Sequence, residues 1–170
     1  GKITADDRVR RTKNAEPRFV GGFNVNLRYK NFDLMALFQG ALGAETYIQT
    51  WSGTVGNYLK DFYDKRWTIE NPNVEHPRAY ERENQYWISN SNTYFIRSCD
   101  YLRLKNIELG YNIRLPALKN AGISNARIYV NATNIFTIDK LKVADPEADS
   151  KDITSYPQRR VVNFGVSLTF

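Results

Sequence analysis

Phe23-Asn24-Val25-Asn26-Leu27-Arg28-Tyr29-Lys30-Asn31-Phe32-Asp33-Leu34-Met35-Ala36-Leu37-Phe38 is the stretch that decides the fold. Lys30-Asn31 reads as a two-residue turn, and residues flanking such a turn face each other directly across two antiparallel strands. Counting outward pairs Tyr29 with Phe32, Leu27 with Leu34, Val25 with Ala36 and Phe23 with Phe38, all apolar. The other face pairs Arg28 with Asp33, Asn26 with Met35, Asn24 with Leu37 and Gly22 with Gln39. Because a one-residue slip would send every side chain to the wrong face, this agreement fixes the register.

The same period of two recurs along the chain. Val162, Phe164, Val166, Leu168 and Phe170 alternate with Val161, Asn163, Gly165, Ser167 and Thr169, and residues 126 to 136 alternate as well. Between residues 94 and 114, Leu102 and Leu104 stand in one phase and Ile107, Leu109, Tyr111 and Ile113 in the other, so a bulge near Lys105 and Asn106 is expected. Five strands result, with little helix. Connections alternate too: Lys30-Asn31 and residues 115 to 125 are short, while 41 to 93 and 137 to 159 are long and polar. Both a transmembrane β-barrel and a soluble β-sandwich are built this way, and the pattern alone leaves the two open.

Composition narrows the functions. The 170 residues carry 24 Lys plus Arg against 18 Asp plus Glu, a modest and scattered excess that permits a nucleic-acid partner without requiring one. One Cys and one His exclude an internal disulfide framework and a multi-histidine metal site. No apolar run is long enough for a helical membrane span. His76, within Asn71-Pro72-Asn73-Val74-Glu75-His76-Pro77-Arg78, reads as a solvated loop histidine, and Cys99 as a small packed residue. No nucleophile-elbow motif occurs, and the chain is read as a non-enzyme. Arg8, Arg10, Arg11 and Lys13 follow Asp6 and Asp7 and read as a solvated loop.

The segment 41 to 93 holds all three tryptophans. Val55, Tyr58, Leu59, Phe62, Tyr63 and Trp67 recur at helical spacing, so a short helix packed through Tyr58, Phe62 and Trp67 is expected. Trp51, Trp87 and Tyr47 remain candidates for stacking on a sugar ring. Gly1 to Asp7 looks like the back half of a calcium loop with Asp7 as final ligand, which suggests a start inside a longer protein and a metal only in that longer protein. No other cofactor is expected.

Several strings together resemble the carboxyl-terminal part of SusC/RagA-type TonB-dependent outer-membrane transporters. They are Gly1-Lys2-Ile3-Thr4 to Asp7-Arg8, Tyr29 to Leu34 with Phe38-Gln39-Gly40, and Glu70-Asn71-Pro72-Asn73 with Pro77-Arg78. More specific are Asp100-Tyr101-Leu102-Arg103-Leu104-Lys105-Asn106-Ile107 to Leu109-Gly110-Tyr111, Asn134-Ile135-Phe136-Thr137, Asp145-Pro146-Glu147 and Phe164 to Phe170. Ile69, where the family often has Pro, and Cys99, where it has a small residue, depart from the pattern.

The resemblance implies an all-β fold, residues 1 to 170 forming the last five antiparallel strands of a 22-stranded transmembrane barrel whose lumen is plugged. It implies TonB-driven uptake of oligosaccharides or peptides across the bacterial outer membrane, a SusD-like surface lipoprotein as lid, and contact with the lipid bilayer. On this reading the short turns are periplasmic and the long loops extracellular. Asn24, Asn26, Arg28, Arg127, Tyr129 and Asn131 would face the lumen, Tyr29 and Phe32 would join an aromatic girdle, and Phe164, Val166, Leu168 and Phe170 would form the barrel-assembly signal. A secreted carbohydrate-binding β-sandwich is the alternative, and a basic RNA-binding domain a distant third.

Overall fold

The computed structural model describes residues 5–48, 60–78, 93–120, 122–148 and 156–170. Five long strands, β1 (Phe19–Tyr29), β2 (Phe32–Leu42), β5 (Tyr101–Ile113), β6 (Asn125–Asp139) and β7 (Val161–Thr169), form one antiparallel sheet in the order β1-β2-β5-β6-β7. Two further strands, β3 (Glu45–Tyr47) and β4 (Ile96–Ser98), pair with each other in a separate two-stranded ladder. This ladder was not expected from the sequence. It continues the course of β2 and β5 past a break at Gly43 and Cys99, where the Cys99 amide donates to the Ala44 carbonyl at 3.0 Å. The short helices are α1 (Lys60–Asp64) and α2 (Pro116–Asn120). Among the described residues no helix is long and apolar enough to cross a membrane, which says nothing about strands.

Register follows the residue pattern closely. Each of the eight pairs counted outward from Lys30-Asn31 is present, and Lys30 takes the φ of 54° that a tight hairpin turn requires. Lys105 is the bulge: Leu37 faces Asn106 while the next residue, Phe38, faces Leu104. The skipped residue brings Leu102 and Leu104 onto the face shared by Ile107, Leu109 and Tyr111. At the same level β6 places Phe136 opposite Leu104 and Thr133 opposite Asn106, with Asn134 at a φ of 53° between them.

One face of the sheet is therefore apolar across all five strands, through Phe23, Leu27, Leu109, Ile128 and Phe164 among others. These side chains are not buried; Phe23 is 52% exposed, Leu27 57% and Phe164 84%. No second sheet covers them among the described residues, whereas a β-sandwich buries such a face. Strands of 11 to 15 residues in β1, β2, β5 and β6 meet or exceed the ~9 to 11 needed to cross a bilayer at a tilt. Apart from Tyr101 at the start of β5, the larger buried apolar side chains, Ile48, Phe62, Phe95 and Leu141, sit outside the sheet in the long connections.

The loop helix ends earlier than its periodicity suggested. α1 ends at Asp64, and Trp67 lies beyond it, because the backbone there pairs with another segment: the Trp67 amide donates to the His76 carbonyl at 2.9 Å and the His76 amide to the Lys65 carbonyl at 3.1 Å. Val55, Tyr58 and Leu59 lie outside the described residues.

Candidate functional site

The face opposite the apolar one carries the polar chemistry. Register places Asn24, Asn26 and Arg28 of β1 on it, opposite Leu37, Met35 and Asp33 of β2. Farther along, Arg127, Tyr129 and Asn131 of β6 face Asn112, Gly110 and Glu108 of β5 on one side and Ser167, Gly165 and Asn163 of β7 on the other. All six expected lumen residues thus share one surface, interrupted by Met35 and Leu37.

At the end with the short turns, Arg127 organises this surface. Its guanidinium donates through Nη2 to Asp33 Oδ2, through Nε to Asp33 Oδ1 at 3.2 Å and through Nη2 to Glu108 Oε1 at 2.7 Å. Asn112 adds a donor to Asp33 Oδ1 at 2.9 Å, and the guanidinium lies over the Tyr129 ring, 5.1 Å from its centroid. The sequence suggested Arg28 as the partner of Asp33, since the two face each other in register. The carboxylate instead turns toward β6, two strands away. Gly110, directly between Asp33 and Tyr129, makes this possible: a Cβ there would overlap the Arg127 guanidinium. Gly165 plays the same part beside it, leaving room for the Tyr129 ring across the β6–β7 pair.

At the end with the long loops, a second arginine holds the loop after β6 against the sheet. Arg103 of β5 is 3% exposed. Its Nε donates to Thr137 Oγ1 at 2.9 Å, Nη2 to Asp145 Oδ1 at 2.7 Å, and Nη1 to Glu147 Oε2. Glu147 also accepts from Tyr101 Oη at 3.0 Å and from Lys105 Nζ at 3.1 Å. Burial pushes the Asp145 carboxyl up, but amide donors from Gln158 and Glu147 together with Arg103 more than offset this and hold it below the usual carboxylate range. Sequence reasoning named Asp145-Pro146-Glu147 only as a string and gave Arg103 no role; two acids around a proline, opposite an arginine on the polar phase of a strand, were the available signal.

The connection between β2 and β5 carries its own small core. His76 is buried, not solvated as its polar neighbours suggested. Its Nδ1 lies 2.8 Å from Tyr94 Oη and its Nε2 3.1 Å from Asp61 Oδ2, and its ring stacks on Phe62 with centroids 5.2 Å apart. Asp61 is held below the usual carboxylate range by Lys65 and by His76. Tyr47, a candidate for sugar stacking, sits in β3 with its ring 5.5 Å from that of Phe95, while Trp51 and Trp87 lie outside the described residues. Trp67, Pro77 and Tyr94 line a cavity of about 590 Å³ beside His76.

The remaining expected sites are dispersed. Asp7 ends an exposed 3-10 turn, Ala5–Asp7, and the four residues before it lie outside the described ones. Arg11 and Lys13 are not fully solvated: both approach Glu45, at 3.7 and 3.6 Å, and the Asn14 carbonyl accepts from the Glu45 amide. Cys99 is half-buried, and burial pushes its thiol up. Phe164, Val166, Leu168 and Phe170 are all exposed.

Relatives place this geometry. The chain is 32% identical over its whole length to TonB-dependent receptor P3 of Formosa agariphila and 29% identical to TonB-dependent receptor P26 of the same organism, in each case spanning 18% of the relative. Solved structures of the RagAB peptide importer in its open-open state and of the RagAB peptide transporter superpose with TM-scores of 0.74 and 0.77. Both are 26% identical, and the superposition covers 99% of this chain and 19% of theirs. No family model matches the chain.

Proposed function

We propose that this chain, a SusC/RagA-type member of the TonB-dependent receptors matching the barrel part of those proteins, forms the carboxyl-terminal wall of an outer-membrane importer. The observation that carries the reading is the two-faced sheet. An exposed apolar surface on five bilayer-length strands suits lipid, and the opposite face, rich in Asn, Arg and acids, suits a water-filled passage.

On this reading Asn24, Asn26, Arg28, Arg127, Tyr129 and Asn131 line the lumen. The turn at Lys30-Asn31 faces the periplasm, where Tyr29, 70% exposed, and Phe32, 50% exposed, belong to the inner aromatic girdle. The connections after β2 and β6 lie outside the cell and contribute to the vestibule that meets a SusD-like lipoprotein lid. Cargo is a peptide or an oligosaccharide, and TonB supplies the drive through a part of the protein beyond this chain. Phe164, Val166, Leu168 and Phe170 serve as the assembly signal, Asp7 closes a calcium loop, and Trp51, Trp87 and Tyr47 contact cargo.

The test is uptake by cells with and without the full-length protein, using labelled peptides and oligosaccharides of graded length. Expected are outer-membrane fractionation, loss of uptake of one cargo class on deletion, the same loss without TonB, and co-purification of a surface lipoprotein. Recovery in the soluble fraction, or unchanged uptake of both classes, would overturn the reading.

A further inference from the structure

We infer that residues 140 to 148 and 156 to 160 form a strap that stays latched across the polar face during transport and sets the width of the passage, with Arg103 as its latch. The inference rests on the importer reading above and adds a specificity-determining element to it.

The strap's course follows from the ladder. β7 begins opposite Thr133, so the last six residues of β6 extend past it with no β7 partner. The chain does not continue straight outward there. Lys142 takes a φ of 59°, its amide donates to Asp139 Oδ1 at 2.6 Å, and Leu141 is buried at 5% exposure, so the chain reverses at once. Lys140 is tied sideways to the start of β5, its amide donating to the Asp100 carbonyl at 3.2 Å and its Nζ to Asp100 Oδ2 at 3.0 Å.

Asp145 and Glu147 then reach Tyr101 and Arg103, two residues of β5 in the polar phase, and Lys105 at the bulge. The outgoing limb has thus moved across the polar face, over β5. The returning limb is held as well: the Gln158 amide donates to Asp145 Oδ2 at 2.9 Å, Lys105 Nζ donates to Gln158 Oε1 at 2.9 Å, and Asn134 Nδ2 donates to the Arg159 carbonyl at 3.1 Å. Two limbs pinned to the face that lines the passage take up part of its section.

Burial decides between a fixed wall and a gate. The Arg103 and Asp145 side chains are 4% and 6% exposed, and Glu147 is 12% exposed. Opening the strap would break the buried Arg103 pairs with Asp145 and Glu147 together with the Tyr101, Lys105 and Asn134 bonds, and losing several such ties at once keeps an opened form below about one molecule in a hundred. A strap that rarely opens acts by limiting size and not by timing.

The test uses the full-length protein in its outer membrane, in a background cleared of other cysteines. Lys105→Cys with Gln158→Cys, bridged by a short bis-methanethiosulfonate crosslinker that forms reducible disulfides, holds the strap shut; Asp145→Asn with Glu147→Gln releases it. The bridged protein is expected to take up the same cargo lengths as wild type, and the released one to take up the longest cargo severalfold faster. Loss of uptake on bridging, reversed by reduction, would show a gate and overturn the inference, as would an unchanged size limit on release. If the released variant does not assemble, the bridged variant still decides. Failure of the importer reading is distinct: wild type then imports nothing, whereas crosslinking yield on a gel reports the latch by itself.

Discussion

Two arginines on one face of one sheet do different work. Arg127 joins β6 to β2 across a glycine and remains within the sheet, its side chain 21% exposed; Arg103 joins β5 to acids 42 and 44 residues away in a connection and is nearly sealed. The first ties strands that the backbone ladders already hold in one sheet. The second is the main tie between the wall and a segment whose described residues form neither strand nor helix. The difference teaches that the cost of removing a charge here depends on what else holds its partners in place.

The comparison predicts a graded set of effects. Arg103→Met leaves Asp145 buried without a cation and Glu147 with Lys105 alone, and should cost about 3–5 kcal/mol. In the full-length protein it should lower the temperature at which the folded band is lost in cold detergent electrophoresis, and expose residues 140 to 148 to protease. Arg127→Met removes a partner that is only part-buried and should cost about 1–3 kcal/mol with no new cleavage in the strap. An equal effect of the two on the strap would break the distinction.

Gly165→Ala drives a methyl into the Tyr129 ring and should cost about 1–3 kcal/mol, with most of the loss recovered when Tyr129→Ala is added. Additive losses would deny that the two residues interlock. The smallest effect is on pH. Asp145 is depressed in the folded state, so its contribution is complete above the ordinary carboxyl range, near pH 4, and disappears as pH falls through the lower folded value. Strap cleavage by an acid-stable protease should therefore stay low at pH 5 and rise only below about pH 4, while Asp145→Asn should abolish the step.

The sheet was legible because strands with one greasy face repeat every second residue, and the turn at Lys30-Asn31 sets the count. Even the bulge at Lys105 followed from a change of phase. What escaped was contact between residues far apart in the chain. Arg28 looked like the partner of Asp33 because register put them together, but only the structure reveals that Gly110 opens a path to Arg127. His76 looked solvated among Asn and Pro, yet Asp61 and Tyr94 enclose it from either side of a long connection. The role of Arg103 was hidden for the same reason, since no period links a strand to an irregular loop.

The central claim, that one face of this sheet meets lipid and the other water, is open to a direct measurement. Nitroxide labels placed singly along β7 of the full-length protein in a bilayer report collisions with oxygen, which concentrates in lipid, and with a nickel chelate, which stays in water. Labels at Val162, Phe164 and Val166 should favour oxygen, and labels at Asn163 and Ser167 the chelate, alternating residue by residue. Uniform access of the chelate to every position, or the opposite alternation, would contradict the account.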